Sequence, residues 1–63
     1  MNRIKYYREK NIFSQADIAE RIGGSQQAVS KWETGKSMPR ADKLSLLAKL
    51  LNCSIDDLFK SNT

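Results

Sequence analysis

An all-α fold of five short helices is predicted for this chain of 63 residues. Three observations predict it. Apolar residues recur at helical spacing along most of the chain, with no strand, repeat or low-complexity tract between them. Ser14, Ser25 and Ser54 each stand where a helix needs an N-terminal cap. Gly23-Gly24 separates two apolar stripes so closely that the flanking helices must cross steeply, which makes residues 15–34 a helix-turn-helix unit.

The first helix is expected from about Asn2 to Lys10, with Ile4, Tyr7 and Arg8 inward. The second starts at Ser14, with Asp17 as the capping-box acid and Phe13 stapled to Ile18. Ile18 and Ile22 form its stripe, and small Ala19 lets the next helix approach. Gly23 and Gly24 end it, because glycine enters the left-handed region without steric cost. Ser25 opens the third helix, about Gln26 to Glu33, which carries Val29 and Trp32 inward and leaves Gln26, Gln27, Ser30 and Lys31 outward. A loop from Thr34 to Pro39 follows. The fourth helix runs from about Arg40 to Leu51, with Ala41, Leu44, Leu47, Ala48 and Leu51 on one face, and Asn52 ends it. Ser54 caps the fifth, with Asp57 as box acid and Cys53 packed as a small hydrophobe on Leu58. Residues 60–63 read as a short polar tail, expected to fray.

Composition narrows the function classes. A chain this short makes one small domain, able to bury only about 60% of its unfolded surface. No stretch approaches the ~20 apolar residues of a membrane span. Charged Arg3, Lys5 and Arg8 follow Met1 at once, so no secretory signal is expected, and a single cysteine fits a reducing cytosol. With no histidine, no second cysteine and no glycine-rich phosphate loop, neither a metal, a cofactor nor catalysis is expected. Asp56 and Asp57 follow Ser54 where a helix N-terminus favours negative charge. The net charge of +4 lies wholly in residues 1–40, which hold eight Lys or Arg against four acids, while residues 41–63 sum to zero. That bias toward the helix-turn-helix half suits a polyanionic partner.

Taken singly, a double glycine is a loop and Gln-Gln a solvated face; their ordered occurrence within residues 15–34 points further. Gln15, Ala19, Gly23, Val29 and Trp32 stand in the order typical of the Cro/cI class of phage and bacterial repressors, which the chain resembles over about residues 2–59. The flanks match too, from Ile4 and Arg8 through Phe13-Ser14-Gln15 and Gly35-Lys36 to the segment Leu51 to Phe59. Three positions depart from the pattern. Glycine is usual where Ile12 stands; a β-branched residue resists positive φ, so the left-handed role is expected to pass to Asn11. Gly24 replaces a hydrophobe that plugs the turn, and Leu46 stands at a commonly polar position.

The resemblance implies a compact, lambda-repressor-like domain that binds double-stranded DNA, with the third helix in the major groove. Gln26, Gln27, Ser30 and Lys31 are then expected to read bases. Gln15, Ser25, Thr34, Lys36, Ser37, Arg40 and Arg8 are expected at phosphates, which fix register without reading sequence. Arg8 and Glu33 are also expected to pair across the first and third helices. One such domain covers too few base pairs to select a genomic site. A weak homodimer pairing on DNA is therefore expected, through Leu46, Leu50 and Phe59, with half-sites ~34 Å apart. The leading reading is a cytoplasmic transcriptional regulator, most simply a repressor on a palindromic operator. A protein-interaction module of the same fold (an antitoxin or antirepressor-binding domain), or the DNA-binding half of a longer regulator, stays open beside it.

Overall fold

Local capping chemistry sets the helix ends in the computed structural model, which describes residues 2–59. The order is α1 (Ile4–Lys10), α2 (Gln15–Ile22), α3 (Gln26–Thr34), α4 (Ala41–Leu50) and α5 (Ile55–Phe59), and no strand occurs among the described residues. The tail expected at 60–63 lies outside them.

Ser14 Oγ accepts from the Asp17 backbone N–H at 3.0 Å, and the Asp17 carboxylate accepts from the Ser14 N–H at 2.9 Å, completing the expected capping box. Hydrogen bonds to the carboxylate from the Ser14 backbone first and its side chain second, with a smaller attraction from Arg21, hold the Asp17 carboxyl below its usual range. A lowered folded-state value means that the box supports folding at neutral pH and loses that support as pH falls through the lowered value. The same box recurs at α5, where Ser54 Oγ accepts from Asp57 N–H at 3.0 Å and Asp57 accepts from Ser54 N–H at 3.1 Å. Cys53 is half-buried against the core, and burial followed by the Asp57 charge pushes its thiol up, so it packs as a neutral hydrophobe.

The stripes converge as expected. Ile4, Ile18, Val29, Leu47, Leu51 and Leu58 are fully buried, joined by Ala19, Ile22, Trp32 and Ala48. Helices α2 and α3 pack together, α4 lies on α2, α5 on α4, and α1 on α3. The Arg3 N–H donates to Leu58 O at 2.7 Å, which ties the two ends of the fold.

The structure corrects several boundaries and two faces. Helix α1 begins at Ile4 with Arg3 at its N-cap, and Asn2 stands before it, its Oδ1 accepting from Ile4 N–H at 3.0 Å. Helix α3 extends to Thr34 before Gly35 turns left-handed at φ 79°, so Thr34 is helical and not part of the loop. Helix α4 is flanked by Arg40 and Leu51 without including them. Ala41 is exposed while Pro39 is buried, so the loop proline covers that end of the core. Leu50, expected to point away, is half-buried and packed on the core, because α4 meets both α2 and α5 and buries two flanks.

A further correction concerns the α1–α2 turn. Ile12 itself takes the left-handed conformation, at φ 61°, while Asn11 stays at φ −92°. Phe13 N–H donates to Arg8 O and Ile12 N–H to Glu9 O, the bond pair of a Schellman ending, which requires the left-handed residue one place beyond Asn11. Helix α4 ends the same way, with Cys53 N–H on Ala48 O, Asn52 N–H on Lys49 O and Asn52 at φ 57°. Asn11 instead spends its amide on Tyr7 O at 2.7 Å and Leu51 O at 2.9 Å, clamping the two helix ends together.

Two backbone positions yield a stability test. Gly23 sits at φ 72°, whereas Gly24 has ordinary backbone and a Cβ there would come no closer than 3.9 Å to Ile22. Gly23→Val should lower the melting temperature sharply, by ~2 kcal/mol in stability, and Gly24→Val should be neutral or better. Ile12 is 89% exposed and contributes little burial, so Ile12→Gly should stabilise by ~1 kcal/mol, the net of relieved left-handed strain over glycine entropy. Thermal melts giving the reverse order would show that the turn is misplaced.

Candidate nucleic-acid interface

Burial of Val29 and Trp32 fixes which way α3 faces. Ser25 Oγ accepts from Ala28 N–H at 3.1 Å and starts the helix as expected, so that hydroxyl has a structural task. With the inner face spent, Gln26, Gln27 and Lys31 are exposed and Ser30 is half-buried. The Thr34 hydroxyl donates to Ser30 O at 3.1 Å and Lys31 O at 3.3 Å, stitching the last turn.

Gln27, Ser30, Lys31, Thr34 and Lys36 together line an open concavity of about 410 Å³ along α3. Gln26, Ser25 and Arg40 are exposed but do not line it; Ser37 is half-buried and donates its N–H to Lys31 O. Neither Lys31 nor Lys36 meets an acid or a ring among the described residues. The face thus offers an amide, two hydroxyls and two free ammonium groups in one shallow trough. Those are groups suited to base edges and phosphates.

Behind this face lies a buried polar cluster. Arg8 Nε donates to Glu33 Oε2 at 2.5 Å, with a second contact from its other terminal nitrogen to Oε1 at 3.4 Å. The Arg8 and Glu33 side chains are only 11% and 3% exposed, so the expected ion pair forms out of reach of bulk solvent. Arg8 Nη1 also donates to Phe13 O at 2.8 Å, binding α1, the α1–α2 turn and α3 into one joint. Gln15, expected at a phosphate, donates to Glu33 Oε1 at 2.9 Å. An amide carries two N–H groups, so a second donor remains for an outside acceptor.

Several positioning contacts link distant residues and have no local sequence signal. Lys43 Nζ donates to Ile22 O at 2.6 Å and covers the end of α2. Asn2 Nδ2 donates to Trp32 O at 2.7 Å, pinning the start of the chain to the end of α3. Beside that pin a second concavity, of about 480 Å³, is lined by Asn2, Lys5, Glu33, Thr34 and Gly35. Nothing in the residue pattern marked Lys5 for this place.

The sequence profile described as Helix-turn-helix matches residues 4–58. Repressor protein C2 of Salmonella phage P22 is 37% identical over 60 residues, spanning 95% of this chain and 28% of that repressor. An uncharacterized HTH-type transcriptional regulator of Methanocaldococcus jannaschii is 34% identical over 58 residues, covering 92% of this chain and 88% of the archaeal protein. The chain therefore spans little more than a quarter of the phage repressor, and most of the archaeal regulator. Among solved structures, the P22 c2 repressor in complex with synthetic operator 9T superposes with a TM-score of 0.86 at 38% identity, covering 92% of this chain and 88% of that one.

The buried joint yields its own prediction. Glu33→Ala leaves the Arg8 guanidinium buried without its counter-charge and should cost about 3–5 kcal/mol of folding stability. Urea unfolding checks this, and a loss below ~1 kcal/mol would mean that the pair does not hold α1 to α3.

Proposed function

The chain belongs to the Cro/cI-type helix-turn-helix family, and on that premise we propose that it regulates transcription by binding double-stranded DNA sequence-specifically through α3, most simply as a repressor. The observation that carries this reading is the polar trough on α3, which holds Gln27, Ser30, Lys31, Thr34 and Lys36 around one concavity. The likeness to a repressor solved on its operator supports it. With α3 in the major groove, Gln26, Gln27, Ser30 and Lys31 read base edges; glutamine pairs bidentately with adenine N6 and N7. Lys36, Ser37, Arg40 and Ser25 hold phosphates beside the groove, Thr34 borders it with its one O–H proton already given within α3, and Gln15 offers its remaining N–H at the start of α2. Arg8 acts chiefly through Glu33, since its exposure is slight.

Binding rather than catalysis, without metal or cofactor and in the cytoplasm, completes the proposal; no helix among the described residues is long and apolar enough to cross a membrane. The binding unit is residues 2–59, with the helix-turn-helix at 15–34. Two copies pair on a two-fold site. Leu46 and Phe59 are 49% and 36% exposed and supply the apolar contact, with the outer edge of Leu50 beside Leu46. So few side chains fall short of the ~1,200 Å² of a stable interface, so the free protein is monomeric and DNA supplies proximity. Sedimentation of the free protein as a tight dimer would refute that part.

The central test is substitution on the reading face. Gln26→Ala and Gln27→Ala should each weaken binding to the preferred duplex by about 1–3 kcal/mol and relax preference at one or two base positions, leaving nonspecific binding nearly unchanged. Competition titrations with variant duplexes measure this. Wild-type discrimination by both variants would remove α3 from the groove.

A further inference from the structure

The concavity beside the α3 C-terminus points to one more element of the interface. Lys5 lies one turn before Arg8 on α1, and that spacing puts both on the side of α1 that meets α3. Arg8 reaches inward to Glu33, while Lys5 is exposed and lines the concavity with Asn2, Thr34 and Gly35. Thr34 also lines the reading trough, so the two depressions adjoin across one residue.

A lysine near a helix C-terminus has an obvious structural use, as donor to the last carbonyls. Three of the carbonyls near that end are already served. Ser30 O takes the Thr34 hydroxyl, Lys31 O takes the Lys36 N–H, and Trp32 O takes Asn2 Nδ2. The Glu33 carboxylate, which also borders the concavity, accepts from Arg8 and Gln15. Lys5 makes no ion pair and no ring contact among the described residues. Its charge therefore stands unneutralised on a ledge continuous with the trough that carries Lys31 and Lys36. The Asn2–Trp32 bond fixes that ledge to the reading helix, so both move as one body.

We propose that Lys5, on the ledge formed with Asn2, Thr34 and Gly35, takes a backbone phosphate of the duplex next to the segment read by α3. The footprint then extends from the helix-turn-helix onto α1. The proposal rests on the reading of α3 as the groove-facing helix, and its test separates the two.

The measurement is the salt dependence of duplex binding for the wild type, Lys5→Ala, Lys5→Arg and Lys36→Ala. Each phosphate neutralised contributes about 0.9 to the slope of log affinity against log salt. Lys5→Ala should flatten the slope by about one unit and weaken all duplexes alike, Lys5→Arg should keep it, and melting temperatures should be unchanged. If Lys36→Ala flattens the slope and Lys5→Ala does not, the Lys5 contact is refuted while DNA binding stands. If the wild type shows no salt-dependent duplex binding, the α3 reading falls and takes the Lys5 contact with it.

Discussion

The buried pair between Arg8 and Glu33 is the constraint on which the rest of the molecule depends. A charge pair this enclosed gives up hydration on both sides, and it repays that cost only when geometry and further hydrogen bonds are good. Arg8 meets the requirement by engaging both carboxylate oxygens and the Phe13 carbonyl, and Gln15 adds a third donor to Glu33. Helix α1, the α1–α2 turn and the start of α2 are thereby held to α3 at one point. An apolar contact of equal strength would tolerate sliding, whereas a bidentate pair permits one register. For a helix that must present side chains to base edges, register is the property that matters.

Around that joint a small core suffices because other ends are tied by polar bonds. Asn11 clamps the ends of α1 and α4, Lys43 covers the end of α2, and Arg3 N–H meets the α5 carbonyl at Leu58. Each satisfies a backbone group that a helix end leaves open. The free cations are then left for the outer face. Lys31 and Lys36 border the trough, and the positive excess of the chain lies wholly in residues 1–40. Fold and proposed function are linked here: the Glu33 carboxylate, an acid that could neutralise a cation beside the reading face, is spent on Arg8 and Gln15.

Much of this was legible from residue order because the deciding interactions are local. Capping boxes at Ser14 and Ser54 span three residues, and the inward positions of Ile18, Ile22, Val29 and Trp32 follow from helical period alone. The Arg8–Glu33 pair was legible through family resemblance, since its partners lie 25 residues apart. Legibility failed where two principles competed. At the α1–α2 turn, the aversion of a β-branched side chain to positive φ argued for Asn11, but the hydrogen-bond pattern of the helix ending decided in favour of Ile12. Leu50 packs on the core against expectation because a helical wheel supposes one buried stripe, and α4 has two neighbours. Asn2, Lys5 and Lys43 carried no signal, as their partners are set by tertiary approach.

The central claim is that α3, held in register by this joint, reads a specific duplex. Selection of random double-stranded DNA on the purified protein tests it most directly. Recovered sequences should converge on a two-fold motif with half-sites about one helical turn, ~34 Å, apart. A pool that stays random after repeated rounds would contradict the account.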